Sequence, residues 1–369
     1  MSRRGDNIHK RSDGRWEGRY NSGKYKNGKA IYKSVYARSY AECFEKLKLA
    51  RCGLLPEHKP IMVSELFSAW LMNRKNTIKM STFVNYSYLY EFYLHKRIGA
   101  RRVEELNAFM INSVIDDLLH HGGRKGEGLS ARTVHSIIIM LRSALEYGER
   151  EYCLPNPSKN LLLPKADKTE IMLFNSFEIA RIRAAGLNGD SYNLGVLLAL
   201  FTGLRVGELC ALTWGDFDLL NQTIQISKTL FRIKNPDSVS PKTIVAIDTP
   251  KSISSVRTVP IPSFILPTLS ELKSKQSCSN YFLTCSSAYI EPRTYNVRYC
   301  SLLKQLGIPY RKFHSLRHTF ATECIKSGVD VKSLSELLGH SSVKITLERY
   351  VHSDMELKRR ELQKLYASV

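Results

Sequence analysis

The chain has 369 residues, with 55 Lys/Arg against 34 Asp/Glu, a formal net charge of +21, a pI near 9.6 and 43% hydrophobic content. That length provides for two or three cored domains, and a charge so one-sided calls for a polyanionic partner. No apolar run approaches the roughly 20 residues of a membrane span, and Met-Ser-Arg-Arg-Gly-Asp (1–6) does not read as an apolar signal segment, so a cytoplasmic protein is expected.

The first segment is the most basic, with 15 Lys/Arg against 6 Asp/Glu over residues 1–59. Apolar alternation predicts three short strands, at 8–10, 16–20 and 30–36, separated by Asp13-Gly14 and by a turn from Gly23 to Gly28. A helix is expected from Ser39 to about Arg51, with Tyr40, Phe44 and Leu47 on its apolar face. This three-stranded sheet plus helix forms a unit at 1–55, and Pro56 to Pro60 links it to the next.

From 60 to 150 the periodicity is helical. Leu66, Phe67, Trp70 and Leu71 make one apolar face; Phe83, Tyr86, Tyr90 and Tyr93 make a second after a Ser81 cap. Ile111, Val114, Ile115 and Leu118 make a third, and Val134, Ile137, Ile138, Leu141 and Leu145 a fourth after Ser130. Four such helices need a shared core, so a four-helix bundle is expected. Residues 151–172, with Pro155, Pro157 and Pro164, read as a connector.

The remainder, 173–369, reads as mainly helical with a small antiparallel sheet, giving a multidomain α+β chain. An apolar helix at 194–201 runs into Thr202-Gly203; strands are expected at 223–227, 244–249 and 256–260, and helices start near Arg293, Phe313 and Val331. A segment capped by Ser341 and Ser342 closes at Tyr350, and a tail helix carrying Met355, Leu357, Leu362 and Leu365 follows. The eight cysteines contain no C-x-x-C pair, so they read as small apolar residues in a reducing compartment, and the acidic residues form no cluster fit for paired metal ions; no metal or other cofactor is called for.

Six residues in this last domain form a set able to break a phosphodiester: Arg205, Lys251, His314, Arg317, His340 and Tyr350. A phosphodiester under substitution gathers negative charge on its non-bridging oxygens, and an arginine fork can meet two of these at once, so Arg205 and Arg317 are assigned to the phosphate. The nucleophile in this reading is the Tyr350 phenol. His314 and His340 can each accept its proton or donate to a phosphate oxygen, and the sequence does not choose between them. The departing 5′ oxygen needs a general acid. Lys251 fits, lying between two β-branched runs that look like a hairpin around a Ser-rich turn, with Lys228, Lys234 and Lys242 as competitors. Glu208, three residues after Arg205, is placed to brace its guanidinium, and His318 to hydrogen-bond in the interior.

The phrases Thr-Gly-Leu-Arg-Val-Gly-Glu-Leu (202–209), His-Ser-Leu-Arg-His-Thr (314–319), Leu-Gly-His (338–340) and Tyr350, in that order, resemble the tyrosine recombinases, the phage-integrase family. The resemblance implies that 1–55 is an arm-type DNA-binding domain whose sheet enters the major groove, with Arg15, Arg19, Lys29 and Lys33 facing DNA. It implies that 60–150 is a core-binding domain, for which Lys75, Lys79 and Arg132, with Arg101 and Arg102, are candidate phosphate contacts and equally good solvated surface. A lysine at the place of Lys251 then reaches the minor groove beside the scissile phosphate. The implied reaction is site-specific recombination through a 3′-phosphotyrosyl intermediate, on double-stranded attachment-site DNA, by a tetramer, with room for accessory DNA-bending proteins; the tail helix either covers its own domain or docks on a neighbouring protomer. The extra N-terminal unit points to integration and excision of a mobile element. Type IB topoisomerase-like relaxation and chromosome-dimer resolution are the alternatives.

Overall fold

Glycine at position 18 lets a helix settle onto the N-terminal sheet. β1 (Ile8–Lys10), β2 (Trp16–Lys26) and β3 (Lys29–Ala37) pair antiparallel in that order, with Gly18 opposite Val35. A Cβ at Gly18 would lie 3.2 Å from Val35 Cγ2 and 3.3 Å from Cys43 Sγ. α1 (Tyr40–Arg51) therefore packs Cys43, Leu47 and Ala50 against the sheet, and Ser39 caps it by accepting from the Glu42 amide. The expected apolar face is thus rotated: Phe44 is exposed and stacks on Tyr40 instead of entering the core. β2 also runs on through the expected Gly23 turn, because a register shift between Asn21 and Tyr25 absorbs the irregularity without ending the ladder.

The computed structural model describes residues 7–26, 29–52, 60–123, 125–165, 172–235, 243–248 and 256–350, with Arg359 and Gln363. It falls into two units, Met1–Asp167 and Lys168–Val369. The first unit continues with α2 (Val63–Arg74), α3 (Met80–Leu89), α4 (Ala108–His121) and α5 (Ala131–Tyr152) around one core. The Ser81 cap is not used; α3 starts two residues earlier than that cap would set it, behind an extended Lys79. At Tyr90 the helix widens into a π-helical stretch, Tyr90–Gly99, which brings Tyr90, Leu94 and Ile98 to the same buried side at a spacing of four. Tyr90 stacks on Phe67 with ring centroids 3.9 Å apart, so the aromatic stripe is core. Beyond α5, Leu154 is buried in this core and His135 Nε2 meets the Pro164 carbonyl at 2.8 Å, so much of the expected connector lies on the bundle.

The second unit opens with α6 (Ser176–Asn188) and α7 (Ser191–Thr202), the latter buried nearly throughout, as its unbroken apolar run requires. α8 (Val206–Ala211) follows. β4 (Phe217–Asp218), β5 (Thr223–Ile226) and β8 (Arg257–Pro260) make one antiparallel sheet, and β6 (Thr229–Lys234) with β7 (Thr243–Asp248) makes a separate hairpin. This corrects the expected pairing of the runs at 244–249 and 256–260: β7 returns to β6, while β8 joins β5. Both runs are β-branched, and alternation does not say which neighbour each takes. The unit closes with α9 (Leu266–Lys273), α10 (Pro292–Gln305), α11 (His314–Lys326), α12 (Val331–Leu338) and α13 (Val343–Tyr350). The expected tail helix lies outside the described residues apart from Arg359 and Gln363.

Gly203 ends α7 in the left-handed region, φ +67°, and a Cβ there would come within 2.7 Å of Phe320 and 2.9 Å of Leu338. Gly203→Ala should cost roughly 2 kcal/mol and lower the unit's melting temperature by about 5 °C. Thermal unfolding followed by circular dichroism checks this; an unchanged transition would contradict it.

Candidate active site

The turn at Gly203 delivers Arg205 as the residue that starts α8. Glu208, at the third helical position, closes a capping arrangement in which its Oε2 accepts from the Arg205 amide at 2.9 Å. Its Oε1 accepts from Arg205 Nη1 at 2.6 Å, so one carboxylate fixes both the backbone and the side chain of Arg205. The expected contact between Glu208 and the Arg205 guanidinium is present. Glu208 is 2% exposed.

The carbonyls at the C-terminal end of α12 do the rest. The last carbonyls of a helix have no intrahelical donor and carry the negative end of its dipole, so they attract cations. Here three consecutive carbonyls take three arginines: Leu337 accepts from Arg257 Nε at 2.6 Å, Leu338 from Arg317 Nη2 at 2.6 Å, and Gly339 from Arg205 Nη2 at 3.4 Å. Arg317 also donates through Nη1 to the Gly203 carbonyl at 2.9 Å. The helix end and the α7 turn thereby hold Arg205 and Arg317 side by side. Arg205 is half-buried, whereas Arg317 is 1% exposed, with two of its N–H donors committed to carbonyls.

Arg257, which sequence reading passed over, completes the network. It donates to both Glu208 oxygens, at 3.2 and 3.0 Å. One signal was available: Arg257 shares strand parity with Val259, which points inward in β8. Burial alone would raise the Glu208 pKa, but Arg257 and then Arg205 outweigh it and hold the carboxyl near 2, below its ordinary 4.5. Two guanidinium groups on one carboxylate, with Arg317 on the neighbouring Leu338 carbonyl, leave this region cationic.

His314 is the first residue of α11 and is exposed; His318, one turn on, is buried and meets it edge-to-face, ring centroids 4.6 Å apart. His340 follows the α12 cap directly. Its Nδ1 lies 2.8 Å from the hydroxyl of buried Thr346, a second residue the sequence reading missed. A hydroxyl can donate or accept, so this bond orients the ring in either tautomer. Thr346 stands on α13, four positions before Tyr350, which is the last residue of that helix. A groove of about 640 Å³ opens beside these elements, lined by Arg205, His314, Arg232, Glu291 and Arg293 among others. Arg317 and His340 do not line it.

Lys251 lies outside the described residues, as does Lys242. Of its competitors, Lys228 is paired with Asp216 at 3.3 Å. The expected DNA contacts on the first sheet do not share a face. Arg19 lies opposite Ser34, and Arg15 sits over the Tyr36 ring while pairing with Asp13. Lys29 and Lys33 take the parity of Val35, on the α1 side. Lys75 ends α2, Lys79 precedes α3, and Arg132 lies in the first turn of α5. Among the described residues, no group of three or more His, Cys, Asp or Glu could hold a metal ion, and no helix is long and apolar enough to cross a membrane.

This α+β unit sets Arg205 and His314 on the groove, Arg317 and His340 at the end of α12, and Tyr350 at the last position of α13. Residues 175–356 match the family described as "Phage integrase family". A tyrosine recombinase XerC-like protein of Caldanaerobacter subterraneus subsp. tengcongensis is 30% identical over 359 residues, covering 89% of this chain and 90% of that one. The integrase of Staphylococcus phage L54a is 29% identical over 268 residues, covering 64% and 74%. In fold, the integrase of transposon Tn1549 in complex with circular intermediate DNA aligns with TM-score 0.68 at 21% identity, over 83% of this chain and 99% of that one. A lambda integrase tetramer bound to a Holliday junction aligns with TM-score 0.55 at 18% identity, over 95% and 96%. The chain belongs to the phage-integrase family and is a tyrosine-type site-specific recombinase of the mobile-element kind.

The Glu208 pKa predicts an acid limb. Its folded value is depressed, so the stabilisation is complete above about 4.5 and is lost as pH falls toward about 2, a contribution on the order of 3 kcal/mol at neutral pH. Glu208→Gln should lower the melting temperature at pH 7 and flatten its fall between those two values. Melting curves taken across that range decide it, and parallel wild-type and variant curves would refute the assignment.

Proposed function

We propose that Tyr350 attacks a DNA phosphate, leaving a 3′-phosphotyrosyl bond and a free 5′-hydroxyl, and that a hydroxyl from a partner duplex reverses the step to exchange strands. The ester is conserved through both transfers, so the chemistry consumes no nucleotide. Arg205, half-exposed on the groove wall, meets the phosphate oxygens directly. Arg317 supplies fixed positive charge from behind it. His314 and His340 approach from α11 and from the α12–α13 junction and share proton transfer and oxygen stabilisation, while Lys251 protonates the leaving 5′ oxygen. The observation that carries this reading is the convergence of Arg205 and Arg317 on consecutive carbonyls at the end of α12, directly before His340.

The same reading assigns 1–55 to arm-site DNA, 60–150 to the core site, 151–172 to the tether and 173–369 to catalysis. Arg15 and Arg19 share the open face of the first sheet and are its DNA-facing residues, with Lys29 and Lys33 as flanking phosphate contacts. Lys79 and Arg132 sit at helix N-termini, where a cation opposes the dipole unless an anion is near, which suits a phosphate beside them, and Lys75 joins them from the end of α2. The working species is a tetramer on two attachment sites, integrating and excising a mobile element, and accessory DNA-bending proteins belong to the same reading. The relatives' and neighbours' names and the excess of +21 charge support this reading.

On a nicked suicide duplex, Tyr350→Phe should bind its site and form no covalent adduct on a denaturing gel. An adduct in that variant would move the nucleophile elsewhere. Arg205→Ala should lower the adduct rate by roughly 100- to 1,000-fold while affinity changes far less. Arg317 is better probed as Arg317→Lys, since alanine would strand two buried carbonyls; it should lose rate by a similar factor, and a parent-like rate would remove it from the site. Relaxation of supercoils without joining of separate duplexes would point to the topoisomerase-like alternative.

A further inference from the structure

Three of the bonds that buried Arg257 makes end on parts of the proposed cleavage machinery. Nε holds the Leu337 carbonyl, and its two terminal nitrogens hold the two oxygens of Glu208. Glu208 in turn holds the amide and guanidinium of Arg205. The Leu337 carbonyl is followed in the chain by the Leu338 and Gly339 carbonyls that take Arg317 and Arg205. Arg257 therefore grips Arg205 from both directions, through its carboxylate brace and through the helix end on which it rests. It also begins β8, six positions after Lys251, and so anchors the strand into which the Lys251 segment leads.

A lysine could not make this arrangement. Two carboxylate oxygens and one carbonyl in different directions require the planar fork, and an ammonium would satisfy one side only. A carboxylate held by Arg205 alone could follow Arg205 as that side chain moves, whereas one pinned from the far side cannot. The phosphate then meets a guanidinium whose direction is set before it arrives, the condition under which charge stabilisation costs no rearrangement during reaction.

We propose that Arg257 is a positioning residue for strand cleavage, locking Glu208 and the end of α12 into the arrangement that aims Arg205 at the phosphate. This rests on the assignment of Arg205 and Tyr350 above. The test is single-turnover adduct formation by the full-length protein on a nicked suicide duplex, with Arg257→Met, Arg257→Lys, Glu208→Gln and the double substitution. Rate and amplitude separate two roles. A residue needed only for folding lowers the amplitude, by reducing the active fraction, and leaves the rate of active molecules alone; a positioning residue lowers the rate at full amplitude.

Arg257→Met should bind the duplex within about threefold of the parent but form adduct about 100-fold more slowly, the scale of a misaimed catalytic group. Arg257→Lys should recover part of that loss, and adding Arg257→Met to Glu208→Gln should slow the reaction little further, since both break one chain of contacts. A parent-like rate, a loss confined to amplitude, or full multiplication of the two effects would each overturn the proposal. Should the methionine variant not fold, Arg257→Lys carries the same comparison. Adduct surviving in Tyr350→Phe would instead defeat the underlying site assignment, so the two failures are distinguishable.

Discussion

The candidate site depends on the unsatisfied end of one short helix. α12 is eight residues long, and its last carbonyls would be orphaned in a buried place without donors. Arginines from three different elements supply them: Arg257 from β8, Arg317 from α11 and Arg205 from the start of α8. Each guanidinium would be costly to bury unpaired, and each carbonyl costly to leave bare, so the two needs are met together. Folding of the unit and assembly of a cationic centre are the same event.

The charge balance inside that centre explains how it can fold and still attract a phosphate. Glu208 lies between Arg205 and Arg257, and carbonyl dipoles take two of the Arg317 donors. Dipoles orient a cation without cancelling it. A fully ion-paired set would be stable and inert toward DNA, and one with no acid would not bury. Position along the chain then adds the proposed proton-transfer residue and nucleophile, because His340 is the residue after the α12 cap and α13 carries Thr346 and Tyr350 directly beyond it.

Much of this could be read from the residues. Thr202-Gly203 as a helix stop, Ser39 and Ser130 as caps, Glu208 as the brace of Arg205 and Leu338-Gly339 as the turn before His340 are local signals, and local chemistry decides them. What could not be read was set by non-local partners. The strand run at 244–248 pairs with β6 and not with β8, because neighbour choice is not encoded in alternation. The exposed Phe44 and the π-helical turn at Tyr90 come from fitting a helix to a surface already formed. Arg257 and Thr346 escaped notice because their meaning lies in partners 49 and 6 residues away, and an arginine or threonine in isolation says nothing of either.

In the proposed site, carbonyls of α12 and the α7 turn hold Arg205 and Arg317 so that their charge converges on one phosphorus. A crystal structure of the protein on nicked core-site DNA with orthovanadate in place of the reacting phosphate tests it most directly. Vanadate oxygens should contact Arg205, His314 and His340, with Arg317 behind Arg205 still donating to Leu338 and the Tyr350 oxygen apical. Vanadate held elsewhere, or arginines that reach it only after leaving those carbonyls, would contradict the account.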